Sequence, residues 1–235
     1  MTITLDAAGT LIDVRWNPVA FAIECAHEVG LSIEDDAAAS LYDHLLRSRW
    51  GHYRELNLTR DPDTCDEWWR ALTREWLARL DQDPSQVEPL TQVVMRRLYT
   101  KGSEVFRLYD DTIPALEALR AAGHRLAILS NWDYSLHRVV AMLEIEGYFD
   151  LVVASLEEGP EKPDPELFRI TLDRLGAKPA EALHVGDNPV DDLRGAQQFG
   201  MGAILLDRAA IDPAPPIVRS LLDVPLLAGN SHEAS

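Results

Sequence analysis

The N-terminal run Thr2-Ile3-Thr4-Leu5-Asp6-Ala7-Ala8-Gly9-Thr10-Leu11 ends an apolar, β-branched stretch in a carboxylate and turns at once through small residues. A strand that stops in this way holds Asp6 rigidly at its carboxyl end, the edge where open α/β sheets place their ligands. The residue two positions on is Ala8, so a simple side-chain proton donor is missing there. Three further segments carry side chains able to do chemistry. They are Ser130-Asn131, Lys162 within Gly159-Pro160-Glu161-Lys162-Pro163-Asp164-Pro165, and Gly186-Asp187-Asn188-Pro189-Val190-Asp191-Asp192. Taken singly, each is what a turn, a helix cap or a helix lead-in looks like. Taken together, each at a strand end or adjoining loop, they bring carboxylates, a hydroxyl and an ammonium to one crevice. The lysines of the chain are Lys101, Lys162 and Lys178, so lysine is scarcely used for surface charge and its presence in this set carries weight. The combination points to an enzyme whose chemistry is incomplete at one position.

These residues need a sheet to align them. From residue 108 onward, short apolar runs at 125–130, 151–155, 182–186 and 203–206 read as buried strands. Between them lie stretches of helical spacing at 113–122, 134–146, 164–175 and 190–199. Pro114 and Pro165 suit first turns, and Gly123, Gly147, Gly176 and Gly200 suit helix stops. The alternation predicts an α/β fold, a Rossmann-like parallel sheet with helices on both faces, and the N-terminal strand at 3–6 must join it. Residues 14–107 differ. Apolar residues at 20–29, 36–49, 65–80 and 86–99 keep helical spacing without strand alternation, which predicts an inserted all-helical domain. It holds Trp16, Trp50, Trp68, Trp69 and Trp76, five of the six tryptophans, most of them expected to fill a small core. Trp50 or Tyr53 is the candidate to face a substrate cleft.

With 235 residues, 46% of them hydrophobic, the chain suits one large domain or two modest ones. A formal charge of -17 argues against nucleic acid or a membrane surface as a partner. No secretory signal and no run long enough to span a bilayer is seen, and a cytoplasmic location is expected. Cys25 and Cys65 show no metal-ligand spacing and read as reduced, buried thiols. Oligomeric state has no signature in the sequence.

Asp-Ala-Ala-Gly-Thr-Leu at 6–11, Leu-Ser-Asn-Trp-Asp at 129–133, Glu-Lys-Pro-Asp-Pro-Glu-Leu-Phe at 161–168 and His-Val-Gly-Asp-Asn at 184–188 occur in this order, with Asp192-Leu-Arg-Gly195-Ala196 behind. In these motifs the chain resembles the haloacid dehalogenase superfamily of hydrolases over nearly its whole length. Its branch is similar to haloacid-dehalogenase-like domain-containing proteins of the rhythmically expressed gene type. The resemblance implies a catalytic core of residues 1–13 and 108–228, a helical cap of 14–107 that opens and closes over the crevice, and a frayed tail of 229–235. It assigns Asp6 as the nucleophile that attacks phosphorus and forms an aspartyl-phosphate. Mg²⁺ would be held by the carboxylates of Asp6 and Asp187 and by the backbone carbonyl of Ala8. Lys162 would neutralise the nucleophile's surroundings and the transferring phosphoryl oxygens, and Ser130 would hydrogen-bond those oxygens. Asn131 joins Ser130 and Lys162 on the substrate side and, with Thr10, fixes loop geometry. Asp192, or alternatively Asp191, would orient a metal-bound water or pair with Lys162. The implied substrate is a small phosphorylated metabolite.

Phosphatases of that family carry a second Asp where this chain has Ala8. Losing a general acid/base costs about 10²–10⁴-fold in rate. Three resolutions are open: a substrate with a good leaving group such as an acyl or aryl phosphate, a proton donor from the cap (His52, Tyr53 or Glu55), or ligand binding with little turnover. Haloacid dehalogenases also lack the second Asp, because halide needs no proton, and Arg47, Arg49 or Arg54 could cradle a carboxylate substrate. They lack a carboxylate at the position matching Asp187, however. Phosphonoacetaldehyde hydrolases use a cap lysine, and residues 14–100 contain none. The expectation is therefore a magnesium-dependent hydrolase of small phosphorylated metabolites, slow or narrow in scope. A 2-haloacid dehalogenase and a catalytically weak phospho-ligand-binding module on the same fold are the alternatives.

Overall fold

The computed structural model describes residues 1–230. The chain forms two compact units, one of Arg15–Phe106 and one that joins Met1–Val14 to the chain from Arg107 onward.

The second of these is built on β1 (Thr2–Leu5), β2 (Ile12–Val14), β3 (Phe106–Leu108), β4 (Arg125–Ser130), β5 (Leu151–Ala154), β6 (Ala182–Gly186), β7 (Gly202–Leu206) and β8 (Ile217–Val218). Six of them form one sheet in the order β5-β4-β1-β6-β7-β8, and β2 pairs with β3 where the chain leaves and re-enters. All ladders of the large sheet are parallel. Burial on both faces explains why β1 and β6 are buried at every residue, and why the sequence there shows runs rather than alternation. Counted along the sheet's own strands the order is 3-2-1-4-5-6, so the winding reverses between β1 and β6. Leu5 stands beside Ile128 of β4 and Val185 of β6, and the next residue, Asp6, donates its N–H to the Val185 carbonyl at 2.9 Å. Asp6 and Asp187 thus leave neighbouring strands at the reversal point.

Helices α5 (Thr112–Ala121), α6 (Ser135–Met142), α7 (Ser155–Glu158), α8 (Pro165–Leu175), α9 (Gly195–Phe199) and α10 (Val224–Asn230) belong to this unit. α8 shows how local chemistry sets its ends. Asp164 caps it by accepting from the Glu166 N–H at 2.9 Å, Pro165 opens it, and Gly176 closes it in the left-handed region at φ 58°. Its Leu167, Phe168 and Leu172 pack with Leu129 and Val153 of the sheet and with Ala196 and Met201.

Several expected boundaries move. The helix expected at 190–199 is instead a π-helical turn, Pro189–Arg194, followed by α9, and the Asn188 carbonyl accepts from both Asp192 and Leu193. The helix expected at 134–146 ends at Met142, because Glu144 takes a left-handed φ of 59°. Residue 155 begins α7 rather than ending β5. β2, β3 and β8 have two or three residues each, too few to show a period. Of the tail expected at 229–235, residues 229 and 230 lie in α10, and 231–235 lie outside the described residues.

The other unit holds α1 (Pro18–Glu28), α2 (Asp35–Asn57), α3 (Pro62–Arg79) and α4 (Val87–Tyr99). α2 runs eight residues past the expected 49, through Gly51, because Tyr53 and Asn57 continue its buried face. Tyr53 is wholly buried, with ring centroids 5.1 Å from Trp50, 4.6 Å from Trp68 and 5.4 Å from Trp69. This corrects the expectation that Tyr53 faces a cleft or donates a proton to a substrate. Trp76 is also fully buried, its indole N–H donating to the Ala38 carbonyl at 2.9 Å, whereas Trp16 is exposed. Cys25 and Cys65 are buried free thiols. Among the described residues no helix is long and apolar enough to cross a membrane.

Candidate active site

Carboxylate oxygens of Asp6, Asp187 and Asp192 lie within 4.8 Å of one another at the carboxyl edge of β1 and β6. Lys162 reaches them from the loop before α8. Its ammonium donates to Asp6 Oδ1 at 2.7 Å, Asp192 Oδ1 at 2.6 Å and the Leu129 carbonyl at 2.9 Å. An ammonium has three N–H donors, so in this arrangement none is left for a substrate oxygen. Burial alone would lower the lysine pKa, but the charges of Asp6 and Asp192 outweigh it and hold Lys162 above its ordinary value. Asp192 is buried too, yet hydrogen bonds from His184 and Lys162 and the lysine's charge hold it well below the usual carboxylate range. Asp187 is exposed at one edge while its carboxylate is crowded by the loop. That partial desolvation, then the charges of Asp6 and Asp192, push it up to about 6.

Two glycines let these groups approach. Gly9 has φ +78°, and a Cβ there would collide with the Asp187 carboxylate. A Cβ on Gly186 would collide with the Asp192 side chain. The turn between them is ordered by its own backbone. The Ala7 carbonyl accepts from Leu11 and Ile12, and the Ile12 carbonyl accepts from Gly9. Among the described residues the Ala8 carbonyl takes part in none of these bonds. The Thr10 hydroxyl faces Asp187 Oδ1 at 3.5 Å.

Asn131 and Lys162 clamp each other. The Asn131 amide donates to the Lys162 carbonyl at 2.9 Å and its Oδ1 accepts the Lys162 N–H at 2.7 Å. This engagement fits a loop-fixing residue better than a substrate contact. Ser130 ends β4 with its side chain buried, and among the described residues no hydrogen bond uses its hydroxyl. Between the two carboxylates left open by the sequence, Asp192 is the one at the centre. Asp191 lies aside and accepts from the Asn188 side chain at 3.0 Å.

The family model of haloacid dehalogenase-like hydrolases matches residues 1–200. The chain belongs to that family. It is 31% identical over 223 residues to haloacid dehalogenase-like hydrolase domain-containing protein 3 of Mus musculus, covering 91% of this chain and 86% of the mouse protein. A phosphoserine phosphatase of Thermus thermophilus is 32% identical over 164 residues, which are 69% of this chain and 64% of that enzyme. The 2-haloacid dehalogenase of Pseudomonas syringae superposes with a TM-score of 0.67 at 23% identity, over 98% of this chain and 99% of that one, a likeness of fold. This haloacid dehalogenase-like hydrolase also has two site neighbours to which motif reading gave no role. His184 and Thr4 are both fully or almost fully buried, side by side in the register of β1 and β6. The signal available was a histidine inside an otherwise apolar strand, one residue before Val185, at the level of a threonine on the adjoining strand.

Proposed function

We propose that the protein is a magnesium-dependent hydrolase of small phosphorylated metabolites, acting through a phosphorylated Asp6. The observation that carries this reading is the buried ammonium of Lys162 bound to both Asp6 and Asp192, with Asp187 in the same cluster. Three carboxylates face a single ammonium there, an acidic cluster short of positive charge. Such a hard oxygen set fits Mg²⁺, for which Asp6, Asp187 and the Ala8 carbonyl are the proposed ligands. Once bound, the metal would neutralise phosphoryl oxygens and orient them for in-line attack.

The remaining work falls to the chain's own residues. Lys162 fixes one oxygen of Asp6 and supplies a positive field that stays in place as charge moves to the phosphoryl group. A carboxylate oxygen of Asp6 forms the bond to phosphorus while the bond to the leaving oxygen breaks. Ser130 donates its hydroxyl to a phosphoryl oxygen. Water then attacks phosphorus, the Asp6–phosphorus bond breaks, and inorganic phosphate leaves. Ala8 gives the departing oxygen no proton, so acyl and aryl phosphates, whose leaving groups depart as stable anions, suit the site better than alkyl phosphates.

The test is turnover of an aryl phosphate with Mg²⁺. We expect slow hydrolysis, abolished by EDTA and by Asp6→Asn. Ala8→Asp should raise the rate on alkyl phosphates, by about 10²-fold or more where proton transfer limits. Absence of metal-dependent turnover on any activated phosphate sinks the reading. Binding of Mg²⁺ with beryllium fluoride but no turnover would make the protein a phospho-ligand-binding module instead.

A further inference from the structure

His184 is completely buried, and both of its ring nitrogens are engaged. Nε2 lies 3.0 Å from Asp192 Oδ1, and Nδ1 lies 2.8 Å from the Thr4 hydroxyl. Asp192 Oδ1 accepts from the Lys162 ammonium at 2.6 Å and Oδ2 from the Asn188 N–H at 2.8 Å, so the carboxylate acts as an acceptor on both oxygens and Nε2 must carry the proton. A neutral ring then leaves Nδ1 as an acceptor, and the single hydroxyl hydrogen of Thr4 must point to it. The alternative acceptor for that hydrogen, the Leu183 carbonyl, is farther away at 3.5 Å. Burial keeps the ring on the neutral side, below the ordinary histidine value.

Asp192 is therefore pinned from three directions. His184 and Lys162 hold Oδ1, and the Asn188 N–H holds Oδ2 at 2.8 Å. The π-helical turn from Pro189 to Arg194 carries Asp192 into this position. Phe168 closes the other side of the imidazole edge-on, with centroids 5.4 Å apart and planes at 87°. His184 is the side chain of β6 that hydrogen-bonds Asp192, so its loss would remove one of the three restraints on the carboxylate that anchors the Lys162 ammonium beside Asp6.

We infer that Thr4 and His184 are a positioning pair. Asp192 sets the tautomer of His184, the Thr4 hydroxyl donates to Nδ1 and holds the ring in its plane, His184 in turn fixes the rotamer of Asp192, and Asp192 fixes the Lys162 ammonium against the attacking carboxylate of Asp6. The pair touches no substrate. This inference rests on the phosphohydrolase reading for its kinetic readout, and on geometry alone for its spectroscopic one.

The experiment compares His184→Leu, His184→Gln, Thr4→Val and wild type in the full chain. With an aryl phosphate and Mg²⁺, His184→Leu should lower kcat about tenfold with KM unchanged, the effect of one lost hydrogen bond to a charged group. His184→Gln restores an N–H donor near the Nε2 position and should recover most of kcat. Thr4→Val removes only the hydroxyl and should fall between. The second readout is the ¹⁵N-lysine side-chain NMR spectrum, which three lysines keep simple. The buried Lys162 ammonium signal should shift in His184→Leu and return in His184→Gln. The inference is overturned if His184→Leu loses thermal stability alone while kcat and the Lys162 signal stay put, or if Gln is as impaired as Leu. Should His184→Leu not fold, Thr4→Val decides by the same two readouts. If wild type lacks turnover, the phosphohydrolase reading fails, and the Lys162 signal still decides the positioning.

Discussion

Lys162 directs its ammonium at Asp6, Asp192 and the Leu129 carbonyl from a fully enclosed position, so its removal strands two carboxylates without a counter-charge. Breaking a buried ion pair from one side costs about 3–5 kcal/mol. Lys162→Met should lower unfolding free energy by that amount in urea titrations and abolish turnover together. Gly9→Ala makes a narrower test. Its φ of +78° and the collision with Asp187 should displace that carboxylate and weaken Mg²⁺ binding, measurable by calorimetry, with a stability loss of about 1–3 kcal/mol. At this scale the sequence was legible where chemistry and turn residues sit together, as in Asp6 with Gly9 or Gly186 with Asp187. His184 and Thr4 were not legible, because their meaning comes from a parallel register between strands 180 residues apart. Tyr53 was misjudged for the opposite reason: a tyrosine carries the same letter whether it lines a cleft or fills a core.

The elements that frame the site are tied together by Asp111 at the start of α5. Its carboxylate accepts from Arg208 at 2.8 and 3.0 Å, from the Ser220 hydroxyl at 2.8 Å and from the Leu221 N–H at 2.9 Å. Arg208 in turn donates to the Thr10 carbonyl at 2.9 Å and stacks over Tyr109 at 3.8 Å. Partial burial raises the Asp111 pKa, but these donors outweigh it and leave it below the ordinary carboxylate value. A carboxylate with a depressed folded pKa stabilises fully above its unfolded value and loses that contribution as pH falls through the folded one. Thermal melts should therefore show wild type above Asp111→Asn by a constant margin at neutral pH, shrinking below about pH 4. A margin that does not change with pH would contradict this. Helix existence was readable from caps and apolar spacing, as Asp164, Pro165 and Gly176 show for α8. Where elements end was less so, since the π-helical turn at Pro189–Arg194 and the passage of α2 through Gly51 are set by tertiary contacts.

Across the molecule, the two compact units differ in what sustains them. The sheet unit rests on continuous buried strands, and the helical unit rests on a knot of rings around Tyr53 and Trp76. Tyr53→Ala should destabilise the helical unit by about 3–5 kcal/mol, the range for deleting a buried aromatic side chain. Five of the six tryptophans lie in residues 15–106, so intrinsic fluorescence follows that unit and should red-shift at lower denaturant in the variant. The division into an alternating and a non-alternating segment could be read from periodicity alone. The short strands could not, because two or three residues give no period.

One property of the sheet bears on how the protein is made. β1 lies between β4 and β6, yet Thr2 pairs with Arg125 and Ala182, residues synthesised far later. On the ribosome the N-terminal segment must wait for both neighbours, and joining ends so far apart costs chain entropy. The helical unit, rich in local contacts, can form during the wait, and in the folded protein its ends are joined by the Arg15 N–H donating to the Val105 carbonyl at 2.8 Å. Asp6 is synthesised well before both strands that flank it and is enclosed only when β6 arrives.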